Sequence, residues 1–169
     1  KTYKLNNDLE LTIYAADNCN PELCYKFLGC ANFSEKQGSQ QIDSIAIIKD
    51  KQHTILNVND CPFDLSKEVL KIIKKKFSKI DVLLTGYGGA GPYPQCIENF
   101  SEQEKKDEAK KKKYNFLNKK IEYLKVVRPR YYLPFAGTYT LNGKLSYLQN
   151  FRGVPTIDEA YNFIDGEIK

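Results

Sequence analysis

Three apolar runs in this sequence each end in a polar or glycine-rich segment, and stretches with helical patterning separate them. The runs cover residues 54–60, 81–89 and 130–138. In open α/β sheets, ligands bind outside the carboxyl ends of the strands, where loops expose backbone and polar groups. Three such strand ends in one chain of 169 residues therefore predict a single shared site.

The order of the hydrophobic patterns predicts the fold class. Alternating residues at 9–15 are typical of a strand, and residues 42–49 and 53–59 are typical of a hairpin. The other predicted elements are a short helix at 22–30, a loop at 33–41, a helix at 65–77, a strand at 81–85, a helix at 101–127, a strand at 130–135 and a helix at 157–164. The order is strands first and then β-α-β-α-β-α, which predicts an α/β protein (α+β by content).

Capping signals mark the starts of the two later helices. Ser101 with Glu104, and Thr156 with Glu159, have the spacing of a capping box. Helical spacing also predicts the buried stripes. They are Tyr114, Leu117, Ile121 and Leu124 in the longer helix, and Ile157, Ala160, Tyr161 and Ile164 in the last one.

Length and composition predict one globular domain over residues 1–169, with 41% hydrophobic and 28% charged residues. No apolar stretch approaches the roughly 20 residues of a membrane span, so we expect no membrane association. The chain begins at Lys1 and contains no methionine, which we interpret as a fragment of a longer chain. Five cysteines, an odd number, favour reduced thiols and a cytoplasmic location over a disulfide scaffold.

Lysine clusters at 74–76, 110–113 and 119–120 account for the net charge of +5. Such clusters can hold nucleic acid or phosphate electrostatically. They lie inside amphipathic helix patterns, however, and arginine, which contacts phosphate in bidentate geometry, is nearly absent. We therefore expect solvated helix faces rather than a nucleic-acid partner.

Asp60 ends the first of the three apolar runs and is the candidate metal ligand. A carboxylate at a strand end suits a divalent cation, and Pro62 stiffens the following loop. The alternative is an aspartate that caps the next helix or turn. His53 is the only histidine, so this chain alone cannot supply a multi-histidine metal centre.

The segment 86–94 follows the second run and contains four glycines and two prolines. Glycine permits close approach of the backbone to a ligand, and proline keeps the loop stiff. The segment lacks the lysine-serine of a Walker loop and the GxGxxG spacing. Its candidate substrate-binding residues are Tyr87, Gly88, Gly89, Tyr93 and Gln95. The alternative is a tight structural turn.

The third run supplies the remaining candidates. Arg128 and Arg130 flank Pro129, and Arg130 is the candidate clamp for an anionic substrate. The alternative for each arginine is a cation at a helix end that faces solvent. Thr138 and Tyr139 are expected to line the far wall of the same site. No residue is assigned as catalytic.

Three motifs carry a family resemblance. They are Ile-Leu-Asn-Val-Asn-Asp-Cys at 55–61, Gly-Gly-Ala-Gly-Pro-Tyr-Pro at 88–94 and Arg-Pro-Arg-Tyr-Tyr-Leu-Pro-Phe-Ala-Gly at 128–137. With them, the chain resembles the C-terminal half of a metallo-β-lactamase-fold protein over residues 42–140. More narrowly, it resembles the β-lactamase-like domain of the CMP-N-acetylneuraminate hydroxylase group and its bacterial relatives.

This resemblance implies half, or a compact variant, of an αββα sandwich with a metal at the strand ends. Asp60 matches the acidic ligand from the second half of the fold. Most other ligands come from an HxHxDH-type loop, which this chain lacks. A divalent metal (Zn, Mn or Fe) would therefore need ligands from outside the chain. Residues 134–137 contain no histidine where many relatives place the last one, and a Rieske cluster is also absent from the sequence.

The sequence thus predicts part of a metal-dependent hydrolase, or a hydroxylase relative, that acts on a small anionic sugar or nucleotide sugar. The alternative is a non-catalytic binding or interaction domain of the same architecture without metal. Half of a two-sheet sandwich leaves an apolar face uncovered, so a companion segment or a homodimer is an expected partner.

Overall fold

The computed structural model describes residues 1–18, 20 and 43–168, and the chain divides into two compact units. The first unit comprises Lys1–Thr85 and Tyr123–Leu133, and the second comprises Gly86–Glu122 and Pro134–Lys169. The predicted helix at 22–30 and loop at 33–41 lie outside the described residues. The single domain over residues 1–169 stays a prediction.

A six-stranded sheet whose order follows the chain forms the centre of the first unit. Its strands are β1 (Thr2–Lys4), β2 (Glu10–Ala15), β3 (Ser44–Lys49), β4 (Thr54–Asn57), β5 (Val82–Thr85) and β6 (Tyr131–Pro134). The first four strands pair antiparallel, and β4 pairs parallel with β5. The sequence did not predict β1.

The hairpin of β3 and β4 confirms the pattern at 42–59. Ile47 lies opposite Leu56 in its register, and both are buried. The turn is closed by Asp50, whose Oδ1 accepts hydrogen bonds from the backbone N–H groups of Gln52 (2.7 Å) and His53 (2.6 Å). These bonds, led by that from Gln52, lower the pKa of the Asp50 carboxyl.

Asp81 fastens the start of β5 to the start of β4. Its Oδ2 accepts a 2.9 Å hydrogen bond from the backbone N–H of Thr54, and its Oδ1 lies 2.7 Å from the Lys79 ammonium. The bond with Lys79 is the main cause that lowers the pKa of the buried Asp81 carboxyl, and the Thr54 bond adds to it. The beginning of the parallel pair is therefore held by a charged contact as well as by the sheet.

Helix α1 (Phe63–Lys76) follows β4 and is fixed within the first unit by a buried tyrosine. The Tyr123 hydroxyl donates a 2.7 Å hydrogen bond to the Cys61 carbonyl and lies 2.9 Å from Ser66 Oγ. Its ring meets Phe63 edge to face at 4.9 Å. Tyr123 is fully buried, and burial raises the pKa of its hydroxyl.

Two further helices begin at the predicted capping boxes. In helix α2 (Glu102–Val127), the backbone N–H of Ser101 donates to Glu104 Oε2 at 2.7 Å, and the Glu104 N–H donates to Ser101 Oγ at 3.3 Å. Helix α3 (Ile157–Ile168) repeats this exchange between Thr156 and Glu159, at 2.8 and 3.1 Å. A 3₁₀ helix at Gly143–Phe151, which the sequence did not predict, lies between them.

Three residues of the predicted buried stripes are exposed, so that part of the prediction is wrong. Tyr114, Ile157 and Tyr161 are 56%, 52% and 62% exposed. The buried face of α3 runs instead through Ala160 and Ile164, with Phe163 packed partly against Ala160. Ile157 begins the helix, where the first turn has no preceding turn to cover it. The other predicted stripe residues of α2, Leu117, Ile121 and Leu124, are buried.

The mixed α/β class is therefore confirmed, and from residue 43 onward the predicted strands and α-helices occur in the predicted order. The finer assignment to an αββα sandwich stays a prediction. No helix in the part of the chain that the structure describes is both long and apolar enough to cross a membrane. Cys61 is buried and Cys96 is half-buried, and the other three cysteines lie outside the described residues.

We expect Tyr123→Phe to lower the free energy of unfolding by about 1–3 kcal/mol, because the buried Cys61 carbonyl loses its donor. Urea denaturation monitored by circular dichroism measures this change. Tyr114→Phe removes an exposed hydroxyl from the same helix and is the matched control, with an expected change below about 0.5 kcal/mol. Equal effects of the two substitutions would contradict the assigned role of Tyr123.

Candidate functional site

Asp60 lies just beyond the end of β4 in the first unit. It is exposed and adopts a left-handed backbone conformation with φ of +63°. The chain before it is fixed by the Val58 N–H, which donates to the Leu84 carbonyl at 2.9 Å. Pro62 occupies the N-cap of α1, and no side chain caps that helix. Asp60 therefore does not cap α1, and its carboxylate is presented at the strand end.

A second carboxylate approaches Asp60 at this edge of the sheet. Asp43 immediately precedes β3, and its carbonyl accepts a 3.0 Å hydrogen bond from the Ala16 N–H. Partial burial, and then the charge of Asp60, raise the pKa of the Asp43 carboxyl. Within residues 1–18, 20 and 43–168, no group of three His, Cys, Asp or Glu side chains is placed to hold a metal ion. Metal ligation by Asp60 stays a prediction.

The glycine-rich segment of the second unit is in direct backbone contact with the segment after β6. The Tyr87 N–H donates a 2.6 Å hydrogen bond to the Ala136 carbonyl. A Cβ on Gly88 would overlap the Gly137 carbonyl, and a Cβ on Gly137 would lie 2.6 Å from the Gly88 nitrogen. Packing therefore accounts for these two glycines. The structure brings together two of the three predicted strand ends, at 86–88 and 136–137.

The neighbours of this contact are also part of the packing of the second unit. Tyr87 is buried with Leu117 and Ala160. A Cβ on Gly89 would lie 2.8 Å from the Phe116 ring. Ligand binding by Tyr87, Gly88 and Gly89 stays a prediction.

Gln95 and Tyr139, both predicted substrate-binding residues, form one hydrogen-bonded network. The Gln95 amide nitrogen donates to the Tyr139 hydroxyl at 3.2 Å and to the Gly91 carbonyl, and the Tyr139 hydroxyl donates to the same carbonyl at 3.3 Å. Gln95 is 1% exposed. The Arg152 guanidinium lies over the Tyr139 ring, 5.3 Å from the ring centroid. The network thus links the glycine-rich segment to an arginine that the sequence did not predict.

Tyr93 lies at a cavity of about 440 Å³, which we call the Tyr93 cavity. Its lining consists of Tyr93, Glu108, Lys111, Lys112, Asn115, Phe116 and Lys119. The helical residues among them repeat at three- and four-residue spacing, so they lie along one face of α2. The cavity combines three lysines and one carboxylate with two aromatic rings.

Hydrogen bonds organise the charged groups of the Tyr93 cavity. Glu108 accepts from Lys111 and from the Tyr93 hydroxyl, which together lower the pKa of the Glu108 carboxyl, Lys111 more strongly. The same contact with Glu108 raises the pKa of Tyr93, so its hydroxyl stays protonated at neutral pH. Lys112 donates a 2.7 Å hydrogen bond to the Tyr93 carbonyl, and burial lowers the pKa of its ammonium.

The remaining predicted residues are Arg130 and Thr138. Arg130 belongs to the first unit, where its N–H donates to the Ile80 carbonyl at 3.0 Å and its guanidinium covers the Tyr131 ring at 5.1 Å. Arg128 directly follows α2, has φ of +48° and is exposed, as is Thr138. A site shared by Asp60, Arg130 and the glycine-rich segment stays a prediction.

We expect Gly88→Ala to destabilise the protein by about 1–3 kcal/mol, because the added methyl group overlaps a fixed backbone carbonyl. Thermal unfolding followed by circular dichroism measures the effect. Gly166→Ala is the control: among the described residues, no atom outside its own stretch of helix lies within 4 Å of the place that the new methyl group would occupy. Alanine also favours a helix over glycine by up to about 1 kcal/mol. A Gly88→Ala protein as stable as the unsubstituted one would contradict the contact with Gly137.

Comparison with known proteins gives one distant relationship. The chain is 28% identical over 103 residues to cytidine monophosphate-N-acetylneuraminic acid hydroxylase from Danio rerio. The match includes 59% of this chain and 16% of the length of that protein. No family model matches the chain, and no solved structure matches it. The similarity supports the resemblance to the hydroxylase group, while the metallo-β-lactamase fold stays a prediction.

Proposed function

We propose that this chain is part of an enzyme that acts on an anionic sugar or nucleotide sugar, and that the Tyr93 cavity binds the anionic ligand. The observation that carries the proposal is the cavity itself, whose lining combines three lysines from one face of α2 with the rings of Tyr93 and Phe116. The distant similarity to a hydroxylase named for a cytidine monophosphate sugar supports the ligand class.

The lining of the Tyr93 cavity suits a molecule with one anionic and one flat part. Its volume of about 440 Å³ falls within the range of about 300–1,000 Å³ that is typical of small-molecule sites. The rings of Tyr93 and Phe116 offer surfaces on which a base or the apolar face of a sugar can pack. The lysines attract phosphate or carboxylate groups.

Charge pairing within the cavity leaves a net positive lining for the ligand. Glu108 pairs with Lys111 and accepts from Tyr93, and Lys119 lies 3.3 Å from Glu122, which is not part of the lining. The lining itself therefore carries three lysines against one carboxylate. Lys112 is partly desolvated, which lowers its pKa. A bound anion restores favourable surroundings for its ammonium group, and this gain adds to the affinity.

Metal ligation is the second component of the proposal. Asp60 would hold a divalent cation of the zinc, manganese or iron type, with further ligands from outside this chain. The described residues supply Asp60 and the nearby Asp43 and do not by themselves form a metal centre. We therefore derive no reaction step through a metal.

The competing proposal is a non-catalytic domain that binds the same ligand class. It is favoured by the lysine-rich lining of the Tyr93 cavity, which can attract an anion without a metal. Assays of the intact protein with a nucleotide sugar, with and without a chelator, separate the two. Turnover that the chelator abolishes supports the enzyme, and binding without any turnover supports the domain.

Titration calorimetry of the intact protein with cytidine monophosphate and with cytidine tests the cavity. We expect the nucleotide to bind at least about tenfold more tightly than the nucleoside, because only the nucleotide carries the phosphate. We expect Lys119→Gln to remove most of the difference in affinity between the nucleotide and the nucleoside.

Lys125→Gln is the matched control, since Lys125 is an exposed lysine of the same helix that does not line the cavity. Equal affinity for the nucleotide and the nucleoside, or equal effects of the two lysine substitutions, would refute binding at the Tyr93 cavity.

We expect Asp60→Gly to abolish metal binding by the intact protein, as measured by elemental analysis after gel filtration. Glycine is chosen because it adopts the positive φ of Asp60 without strain and removes the carboxylate. Asn18→Gly, at a second residue of positive φ in the same unit, is the control and is expected to keep the metal. Unchanged metal content in Asp60→Gly would exclude Asp60 as a ligand.

A further inference from the structure

We propose that a second cavity of the same unit, which we call the Arg152 cavity, is an oxyanion site that binds the phosphate group of a small ligand. Its volume is about 310 Å³. Its charged lining residues are Lys106, Lys110, Lys113 and Arg152, none of which lines the Tyr93 cavity. The inference therefore goes beyond the proposed function and does not depend on it.

Three of the four cations come from one face of α2. Lys106, Lys110 and Lys113 follow each other at four- and three-residue spacing, which places them on successive turns of the same side. Lys113 forms a 2.7 Å ion pair with Glu159. In the part of the chain that the structure describes, Lys106 and Lys110 have no carboxylate partner. Their charges are therefore available to a ligand.

Arg152 faces these lysines in a fixed orientation. Its Nε donates a 2.9 Å hydrogen bond to the Gln149 carbonyl, and its guanidinium stacks on the Tyr139 ring at 5.3 Å. One terminal nitrogen of the guanidinium is covered by protein and has no acceptor among the described residues. A covered charged donor without an acceptor is costly, and such groups commonly mark the place of an ion or ligand.

Local backbone conformation brings Arg152 close to α2. The next residue, Gly153, has φ of +64°, and a Cβ on it would lie 2.7 Å from the carbonyl oxygen of Ala109. Only glycine permits both this conformation and this close approach. The Gln149 side chain is held by the Leu141 N–H, which donates to its Oε1 at 2.7 Å. The cavity is therefore built by defined contacts rather than by flexible lysines alone.

The composition of the lining indicates the ligand. Gln149 and Asn150 add neutral polar groups, and the lining contains no carboxylate from the described residues. The planar fork of an arginine with three point-charge lysines suits the several oxygens and double negative charge of a phosphomonoester. A concave space of about 310 Å³ fits a small phosphorylated molecule, whereas a nucleic-acid backbone requires an extended track of cations.

Titration of inorganic phosphate into the intact protein, followed by ³¹P nuclear magnetic resonance at constant ionic strength, tests this site. We expect saturable binding of one phosphate at the Arg152 cavity. Arg152→Gln should weaken it by about tenfold or more, and Arg152→Lys by less, because lysine keeps the charge but not the planar fork. Lys110→Gln should weaken it several-fold.

Lys110 and the control residue Lys125 are both exposed residues of α2, so neither substitution is expected to disturb folding. This pair keeps the test valid if Arg152→Gln proves unstable. Absence of saturation, or equal weakening by Lys110→Gln and Lys125→Gln, would overturn the proposal. Displacement of phosphate by a single-stranded oligonucleotide at lower concentration than by a sugar phosphate would overturn the assignment to a small ligand.

The same titrations on Lys119→Gln distinguish this inference from the proposed function. Phosphate binding at the Arg152 cavity should persist in Lys119→Gln, while binding of cytidine monophosphate at the Tyr93 cavity is lost. Loss of phosphate binding in Lys119→Gln would place the phosphate in the Tyr93 cavity and refute a separate site.

Discussion

The second unit depends on a contact in which two backbone segments meet without intervening side chains. The Tyr87 N–H binds the Ala136 carbonyl, and Gly88 and Gly137 pack against each other more closely than any residue with a Cβ would permit. From this contact the chain continues to Gln95 on one side and to Tyr139 on the other, and these two side chains share the Gly91 carbonyl. Arg152 in turn stacks on Tyr139. The position of the Arg152 guanidinium therefore depends on the close contact between Gly88 and Gly137.

Helix α2 presents lysines on two of its faces, and each face contributes to a different cavity. Surface ion pairs such as that of Lys111 with Glu108 stabilise a helix only slightly. A lysine-rich helix therefore gains little stability from its own charges. Under the two proposals above, part of this charge attracts anions where other segments add aromatic rings, an arginine and amide groups. These places are the Tyr93 and Arg152 cavities.

The parts of the structure that could be predicted from the sequence are those decided by residues close together along the chain. The hairpin of β3 and β4 and both capping boxes follow from patterns of a few residues. The exposure of Tyr114 and Tyr161 could not be predicted, because helical spacing does not tell which of two adjacent stripes a neighbouring segment covers. The lysine run at 110–113 is evident in the sequence, but such runs are typical of solvent-exposed helix faces and do not by themselves predict a site. The segment that contains Gln149, Arg152 and Gly153, more than 35 residues along the chain, turns part of that run into a cavity.

Asp43, which is close to Asp60, and Asp81, which is bonded to Thr54, change the stability of the first unit in opposite directions as the pH falls. Burial, and then the charge of Asp60, raise the pKa of the Asp43 carboxyl, so its charged form is unfavourable in the fold. Proton uptake relieves this cost and strengthens the fold as pH falls toward the ordinary aspartate range. Asp81 has a lowered pKa, and its contribution is complete above that range and lost on further acidification. A titration of stability therefore contains terms of opposite sign, that of Asp43 against those of Asp81 and Asp50. A cation bound between Asp43 and Asp60 would offset the repulsive part of the Asp43 term, and the acid limb of the stability curve would then depend on ion occupancy at the end of β4.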